Sequence, residues 1–316
     1  MLKDGFFSAN EVTEFNIRTL SSSQSFECER RICELSELAD ETAEAVCELY
    51  VEGYGVYEIS EIISSGLCIG RHAEHSSALE INKARLVSYI NSLFSNDRAV
   101  FSALLVDAIN KNGISLNEST FFSSGSTEET FVYVKNPLAD EAYDVFSQDF
   151  SDPRVSYARN LKDAARLVSA GKAEYCLLPL EERSGVRIAS VAELIFAEDL
   201  KINAVTPVFG FDGSADMKYA LFSRYFKVPR VFKDDDRYLE IRVLNASALS
   251  EIFVVAEQLG VAVHKVNTVS FDTEDGLAEC FDIVFKKNGE DFVDLIMYLT
   301  LFCPTYTAIG IYNNLE

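Results

Sequence analysis

Apolar and polar residues alternate along Tyr238-Leu239-Glu240-Ile241-Arg242-Val243-Leu244, the period of two that marks a half-buried strand. Asn245 then stands in the N-cap position. Leu249, Ile252, Phe253, Ala256 and Leu259 recur at helical spacing until Gly260 stops them. A second strand is predicted over 261–269. An acidic turn over 272–276 leads to a third strand, Cys280-Phe281-Asp282-Ile283-Val284-Phe285. Asp291 opens a second helix through Phe292, Leu295, Ile296 and Leu299, and Tyr306-Thr307-Ala308-Ile309-Gly310-Ile311-Tyr312 closes the unit. Two crossovers of this length predict a four-stranded antiparallel sheet with both helices on one face, the ferredoxin-like layout.

Ahead of this tail, strands and helices alternate. Phe131-Val132-Tyr133-Val134 reads as a strand, 137–150 as a helix with Leu138, Ala142 and Phe146 on one face, and 155–158 as a second strand. Leu161, Ala164, Ala165 and Val168 mark a helix ended by Gly171. Glu174-Tyr175-Cys176-Leu177-Leu178-Pro179-Leu180 is a buried strand, 191–196 a helix, and Ala220-Leu221-Phe222 part of a later strand. The alternation predicts a parallel sheet with helices on both faces. Residues 123–130, small and polar, form the linker in front of it.

The first 122 residues read as helical. Ile32, Leu35, Ala39, Ala43, Val46 and Leu49 share a face, and Gly53 and Gly55 end it. Val56, Ile59, Ile62 and Ile63 form a shorter amphipathic piece. Ser77-x-x-Glu80 reads as a capping box ahead of Leu86, Tyr89, Ile90 and Leu93. Asp97 starts a helix with Val100, Phe101, Leu104, Leu105 and Ile109, closed at Gly113. The expected class is α+β and α/β multidomain: a helical bundle over 1–122, a single α/β lobe over 131–230 and a ferredoxin-like domain over 237–316.

At 316 residues there is room for two or three domains, and 48% apolar with 25% charged residues is ordinary for a globular chain. The net charge of -22 disfavours nucleic acid and anionic membrane surfaces as partners. An acidic ligand would need a local basic pocket against that field. No run of eighteen apolar residues offers a membrane span. Met1-Leu2-Lys3-Asp4 lacks the basic-then-apolar pattern of a signal peptide, so a cytoplasmic location is expected. Seven cysteines without a Cys-x-x-Cys read as reduced thiols. Cys68-x-x-x-His72-x-x-His75 has three ligand types but no fourth nearby, and no metal or cofactor is expected. Glu52-Gly53-Tyr54-Gly55 resembles a helix-turn-helix turn, a reading the charge opposes.

The tail's order of elements, with Asn245-x-Ser247-Ala248-Leu249 at its first turn and Ile309-Gly310-Ile311-Tyr312 at its end, resembles the ACT domain, in particular the one closing prephenate dehydratases. The resemblance implies regulation by a free amino acid and a homo-oligomer, a dimer, formed through that domain. The family's Gly-Ala-Leu turn corresponds to Ser247-Ala248-Leu249, and its Glu-Ser-Arg-Pro turn to Asn267-Thr268-Val269-Ser270. The residues expected to hold the amino acid are therefore Asn245, Ser247, Ala248, Leu249, Asn267 and Thr268.

The middle region is similar to the dehydratase lobe as well. Leu178-Pro179-Leu180-Glu181-Glu182-Arg183-Ser184-Gly185 resembles the segment around the family's Pro-Ile-Glu-Asn-Ser turn, and Met217-Lys218-Tyr219 stands where the family has Thr-Arg-Phe. Ser223-Arg224-Tyr225 is an alternative register. Arg183, Lys218 and Arg224 are the candidate charges, Ser184 and Ser223 the candidate proton carriers. The departures are chemical. Met217 has no proton to give, Lys135-Asn136-Pro137-Leu138 lacks the expected glycine, and 96 residues from Phe131 to Phe226 make about one lobe where the family has two.

The helical region occupies the place of a chorismate mutase domain, and Arg30, Arg31, Lys83 and Arg85 are its clustered basic residues. The resemblance thus implies aromatic amino-acid (phenylalanine) metabolism. The favoured expectation is a catalytically degenerate, amino-acid-binding regulatory homologue. The alternative is a working prephenate dehydratase, a carbon–oxygen lyase, or a chorismate mutase with a rearranged site.

Overall fold

The computed structural model of the protein describes residues 22–55, 86, 88–122, 129–209, 215–227, 236–273, 276–288, 291–303 and 305–315. Cys68, His72, His75, Ser77, Glu80, Lys83 and Arg85, and the short amphipathic piece from Val56 to Ile63, lie outside them. By contacts the chain divides into two compact units. One comprises 1–121, 247–262 and 292–306; the other comprises 122–246, 263–291 and 307–316.

The first unit is helical among its described residues. Helix α1 (Ser22–Val51) packs against α2 (Ser95–Lys111). The short α3 (Glu118–Phe121) and two helices from the tail, α7 (Leu249–Gln258) and α8 (Val293–Phe302), complete it. Arg31 reaches from α1 to Asp97 at 2.7 Å, and Arg98 on α2 pairs with Glu251 on α7 at 2.7 Å. Asn245 stands ahead of a 3-10 turn, not at the N-cap of the α-helix itself. A 3-10 turn over Ala246–Ala248 precedes α7, whose N-cap is Ala248 with no side-chain hydrogen bond. Ahead of α8, the Glu118 carboxylate accepts a hydrogen bond from Phe292 N at 2.9 Å. That donor belongs to the end of a helix that offers no side chain of its own to cap it.

The second unit holds one nine-stranded sheet. Its strands are β1 (Thr130–Tyr133), β2 (Arg154–Tyr157), β3 (Tyr175–Glu182), β4 (Lys201–Phe209), β5 (Ala215–Ser223), β6 (Asp236–Val243), β7 (Ala262–Thr273), β8 (Gly276–Asn288) and β9 (Tyr306–Asn313). They lie in the order β2-β1-β3-β5-β4-β9-β6-β8-β7. Helix α4 (Pro137–Phe146) covers one face, with Ala139, Ala142 and Phe146 against Phe131, Tyr133 and Tyr175. Helices α5 (Leu161–Ser169) and α6 (Ala189–Ala197) cover the other through Ala164, Ala165, Val168, Val191 and Ile195. Helices on both faces were expected, and strands buried on both sides read as continuous apolar runs for that reason.

The sheet is not parallel throughout, which corrects the sequence expectation. Strands β1, β2 and β3 pair in parallel, but β5 runs antiparallel between β3 and β4. Only five residues join β4 to β5, and a connection that short returns the chain antiparallel to itself. The tail keeps its predicted element order, β6–α7–β7–β8–α8–β9, and its strands form a contiguous block at one side of the sheet. The tail block joins the rest where Ile202 on β4 faces Gly310 on β9 in parallel. A Cβ on Gly310 would stand 2.7 Å from the Ile202 Cβ, so the strands approach this closely only because residue 310 has no side chain.

Strand β6 is also deeper than its alternation predicts. From Arg237 to Val243 every residue is buried. The charged ones are matched inside. Arg242 makes two hydrogen bonds to Asp282, at 2.7 and 2.8 Å, from the directly opposing position on β8. Glu240 meets Arg187 at 2.7 Å.

Candidate functional site

Strand β3 runs into a tight turn. Glu182 N donates to Val186 O, and Gly185 N to Glu182 O, with Gly185 at φ 78°. A β-bulge between Pro179 and Glu181 precedes the turn and re-aims the end of the strand. Glu181 sits opposite Lys218 of β5, and its carboxylate is the hub of a charge cluster. It lies 2.6 Å from Lys265 of β7, 3.7 Å from Lys218 and 4.0 Å from Arg187. The Lys265 ammonium also donates to the Gly185 carbonyl, tying β7 to the turn.

Beside Glu181 opens a small, partly open cleft lined by Glu181, Lys218, Tyr238, His264, Lys265, Tyr312 and Asn314 with Leu180, Val205 and Val284. Tyr238 and Tyr312 stack at 5.6 Å and 13°, and His264 meets Tyr238 edge-on at 5.3 Å. Beneath lies Glu240, fully buried, which accepts a hydrogen bond from the Tyr312 hydroxyl at 3.1 Å. Burial pushes the Glu240 carboxyl above its ordinary value against the pull of Arg187. Burial also works against the Arg187 charge, but Glu240, Tyr312, Asp282 and Glu181 outweigh it and hold the guanidinium above its usual value. Burial, then Lys218 and Lys286, depress the His264 imidazole. Chemically, the cleft offers cations, aromatic faces and the Tyr312 hydroxyl, which is bound to the Glu240 carboxylate.

The five candidate catalytic residues are dispersed. Arg183 is more than half exposed and pairs with Asp216 at 3.5 Å, while Ser184 lies in the turn, its Oγ accepting from Val186 N at 3.4 Å. Of the five, Lys218 alone lines the cleft. Ser223 and Arg224 lie at the other end of β5, roughly 17 Å from Lys218 at about 3.4 Å per residue. Ser223 is fully buried. It donates to Tyr225 O at 2.5 Å and accepts from Asn203 Nδ2 at 2.8 Å and Tyr225 N at 3.2 Å. Arg224 lies over the Tyr225 ring at 5.1 Å and against Gly171. At the turn after β1, the Asn136 side chain accepts from Ala139 N and caps α4, with Pro137 at the start of the helix.

Of the six residues expected to hold an amino acid, Ser247, Ala248 and Leu249 belong to the helical unit and Asn245, Asn267 and Thr268 to the sheet unit. Asn245, Ser247 and Thr268 are exposed, and Asn267 has a buried side-chain nitrogen that makes no hydrogen bond. On α1, Arg30 lies 3.8 Å from Glu34, and Arg31 is held by Glu34 and Asp97. Arg187, Glu240 and Lys265 escape a sequence reading because their charged partners are 50 to 85 residues away. The available signal was ionisable Glu240 and Arg242 inside an apolar strand, with Asp282 inside another.

No family model matches the chain, and no curated protein matches it. Among solved structures, the prephenate dehydratase from Streptococcus mutans superposes with a TM-score of 0.49 at 12% identity, over 60% of this chain and all of that one. A quorum-quenching acylase, GqqA, gives 0.44 at 16% over 59% and 95%. The prephenate dehydratase from Arthrobacter aurescens, in complex with L-Phe, gives 0.43 at 14% over 58% and 89%. At these identities the likeness is one of fold alone.

Proposed function

We propose that the chain is a catalytically degenerate relative of the prephenate dehydratases that binds an amino acid and acts as a regulatory homodimer in phenylalanine metabolism. The observation that carries this reading is Ser223. Its hydroxyl, a candidate proton carrier beside the candidate Arg224, is buried and spent on Asn203 and Tyr225. Lys218 faces a carboxylate, Arg183 faces solvent and Asp216, and Met217 has no proton for a leaving hydroxyl. A dehydration that develops charge on two carboxylates and a departing oxygen needs those groups gathered and unspent.

Binding is supported by the buried side-chain nitrogen of Asn267, which makes no hydrogen bond and which a ligand carboxylate would satisfy. The dimer contact is strand β7, last in the sheet order and twelve residues long, with Val263 and Val266 exposed. Calorimetric titration of the full chain with phenylalanine, tyrosine and the remaining amino acids tests the reading. Saturable binding of at least one, weakened tenfold or more by Asn267→Ala, is expected. A flat response to all of them overturns the sensing role.

A further inference from the structure

We infer that the cleft beside Glu181 is a second binding site, for a small monocarboxylate with a planar apolar body, held by Lys218, His264 and Lys265. No residue of the amino-acid turn lines it, so this inference and the proposed function fail separately.

Charge selects the head group. Two lysines face one carboxylate in the cleft, while Arg187 and Glu240 below it balance each other. The cleft therefore keeps one positive charge in excess within a chain of net charge -22. The His264 imidazole registers that field: after burial, Lys218 and Lys286 are the larger influences on it, and Glu181 opposes them without cancelling them. A monoanion neutralises the excess. A dianion would leave charge unmatched, since Lys286 is already bound to Asp236 at 2.7 Å. A cation would meet like charge.

The donors are at hand. Lys218 lies 3.7 Å from Glu181 with its side chain 38% exposed, a loose contact that leaves ammonium protons for a ligand. One carboxylate deeper, Arg187 is 4% exposed and none of its three nitrogens makes a hydrogen bond, although Nη2 lies 2.7 Å from Glu240.

Shape selects the body. Leu180, Val205 and Val284 supply apolar wall, and the stacked Tyr238 and Tyr312 with the edge-on His264 supply flat aromatic surface. A few converging polar groups on an otherwise apolar wall are the usual make-up of a small-molecule site. Strand β7 brings Lys265 to Glu181 of β3, which also faces Lys218 of β5, so the site draws on strands far apart in the sheet order.

The test is titration calorimetry of the full chain with sodium benzoate at low salt, with benzylamine and inorganic phosphate in parallel. One benzoate per chain is expected, with affinity falling as sodium chloride is added. Benzylamine and phosphate should give no saturable heat. Lys218→Ala, a change at a half-exposed position, should weaken benzoate at least tenfold. By NMR, benzoate should raise the depressed pKa of His264. Absence of benzoate binding, equal binding by folded Lys218→Ala, or phosphate binding as tightly as benzoate each overturns the inference.

Discussion

Replacing Gly310 with alanine tests the join between the two blocks of the sheet. The added Cβ would lie 2.7 Å from Ile202 Cβ and 3.0 and 3.1 Å from the Tyr312 ring. Contacts under about 3 Å between carbons are repulsive, since the attractive separation is roughly 3.5–4.0 Å. The nearest atom matters more than the count. Ile202 Cβ is fixed to the backbone of β4, so no rotamer change moves it and the strands themselves must part. Overpacking of this kind costs about 1–3 kcal/mol. With an unfolding entropy of roughly 2.1 cal/mol/K per residue, that is a fall in Tm of about 2–5 °C for a chain of this size if it melts as one. Scanning calorimetry of Gly310→Ala, alone and combined with Ile202→Val, reads it. Valine keeps the offending Cβ and should give no rescue. Unchanged melting of Gly310→Ala, or full rescue by Ile202→Val, would falsify the close-approach argument.

Three further outcomes follow from the same contacts. Ser223→Ala strips a buried acceptor from Asn203 and Tyr225 and should cost about 1–3 kcal/mol in urea unfolding; a neutral result would return that hydroxyl to the pool of spare groups. Glu240→Ala leaves Arg187 buried without its counter-charge, a loss of about 3–5 kcal/mol, whereas the pair Arg187→Met/Glu240→Leu should recover most of it; equal losses in both variants contradict the pairing. The depressed His264 imidazole binds fewer protons folded than unfolded, so its contribution to stability is present above about pH 6.5 and is lost as pH falls through the lower folded value. Denaturant midpoints across that range should therefore be less acid-sensitive in His264→Gln than in the parent, and identical slopes speak against the effect.

What the sequence revealed and what it hid divide along a physical line. Local stops were legible: Gly53, Gly113, Gly171 and Gly260 all take left-handed backbone near where the helical periodicity ends. So was the tail's order of elements, because each strand and helix carries its own period. The insertion of β5 between β3 and β4 was not, since Lys201–Phe209 reads mostly as apolar residues without clean alternation and its pairing is decided by a short connection. Glu118 capping α8 from 174 residues away was equally invisible. The cleft failed to show for the same reason. Its charges come from β3, β5, β6 and β7, and in the sequence Glu240 and Lys265 look like the solvent side of ordinary strands. Gly310 entered the sequence reading only as part of a resemblance, and the close backbone approach it permits appears in the structure alone.

The central proposal is a chain that binds an amino acid without dehydrating prephenate. The most direct measurement is formation of phenylpyruvate from prephenate by the purified full chain, followed over hours against an enzyme-free control. The dispersal of Arg183, Ser184, Lys218, Ser223 and Arg224 predicts a rate equal to the control. Turnover above it, abolished by Lys218→Ala, would contradict the account.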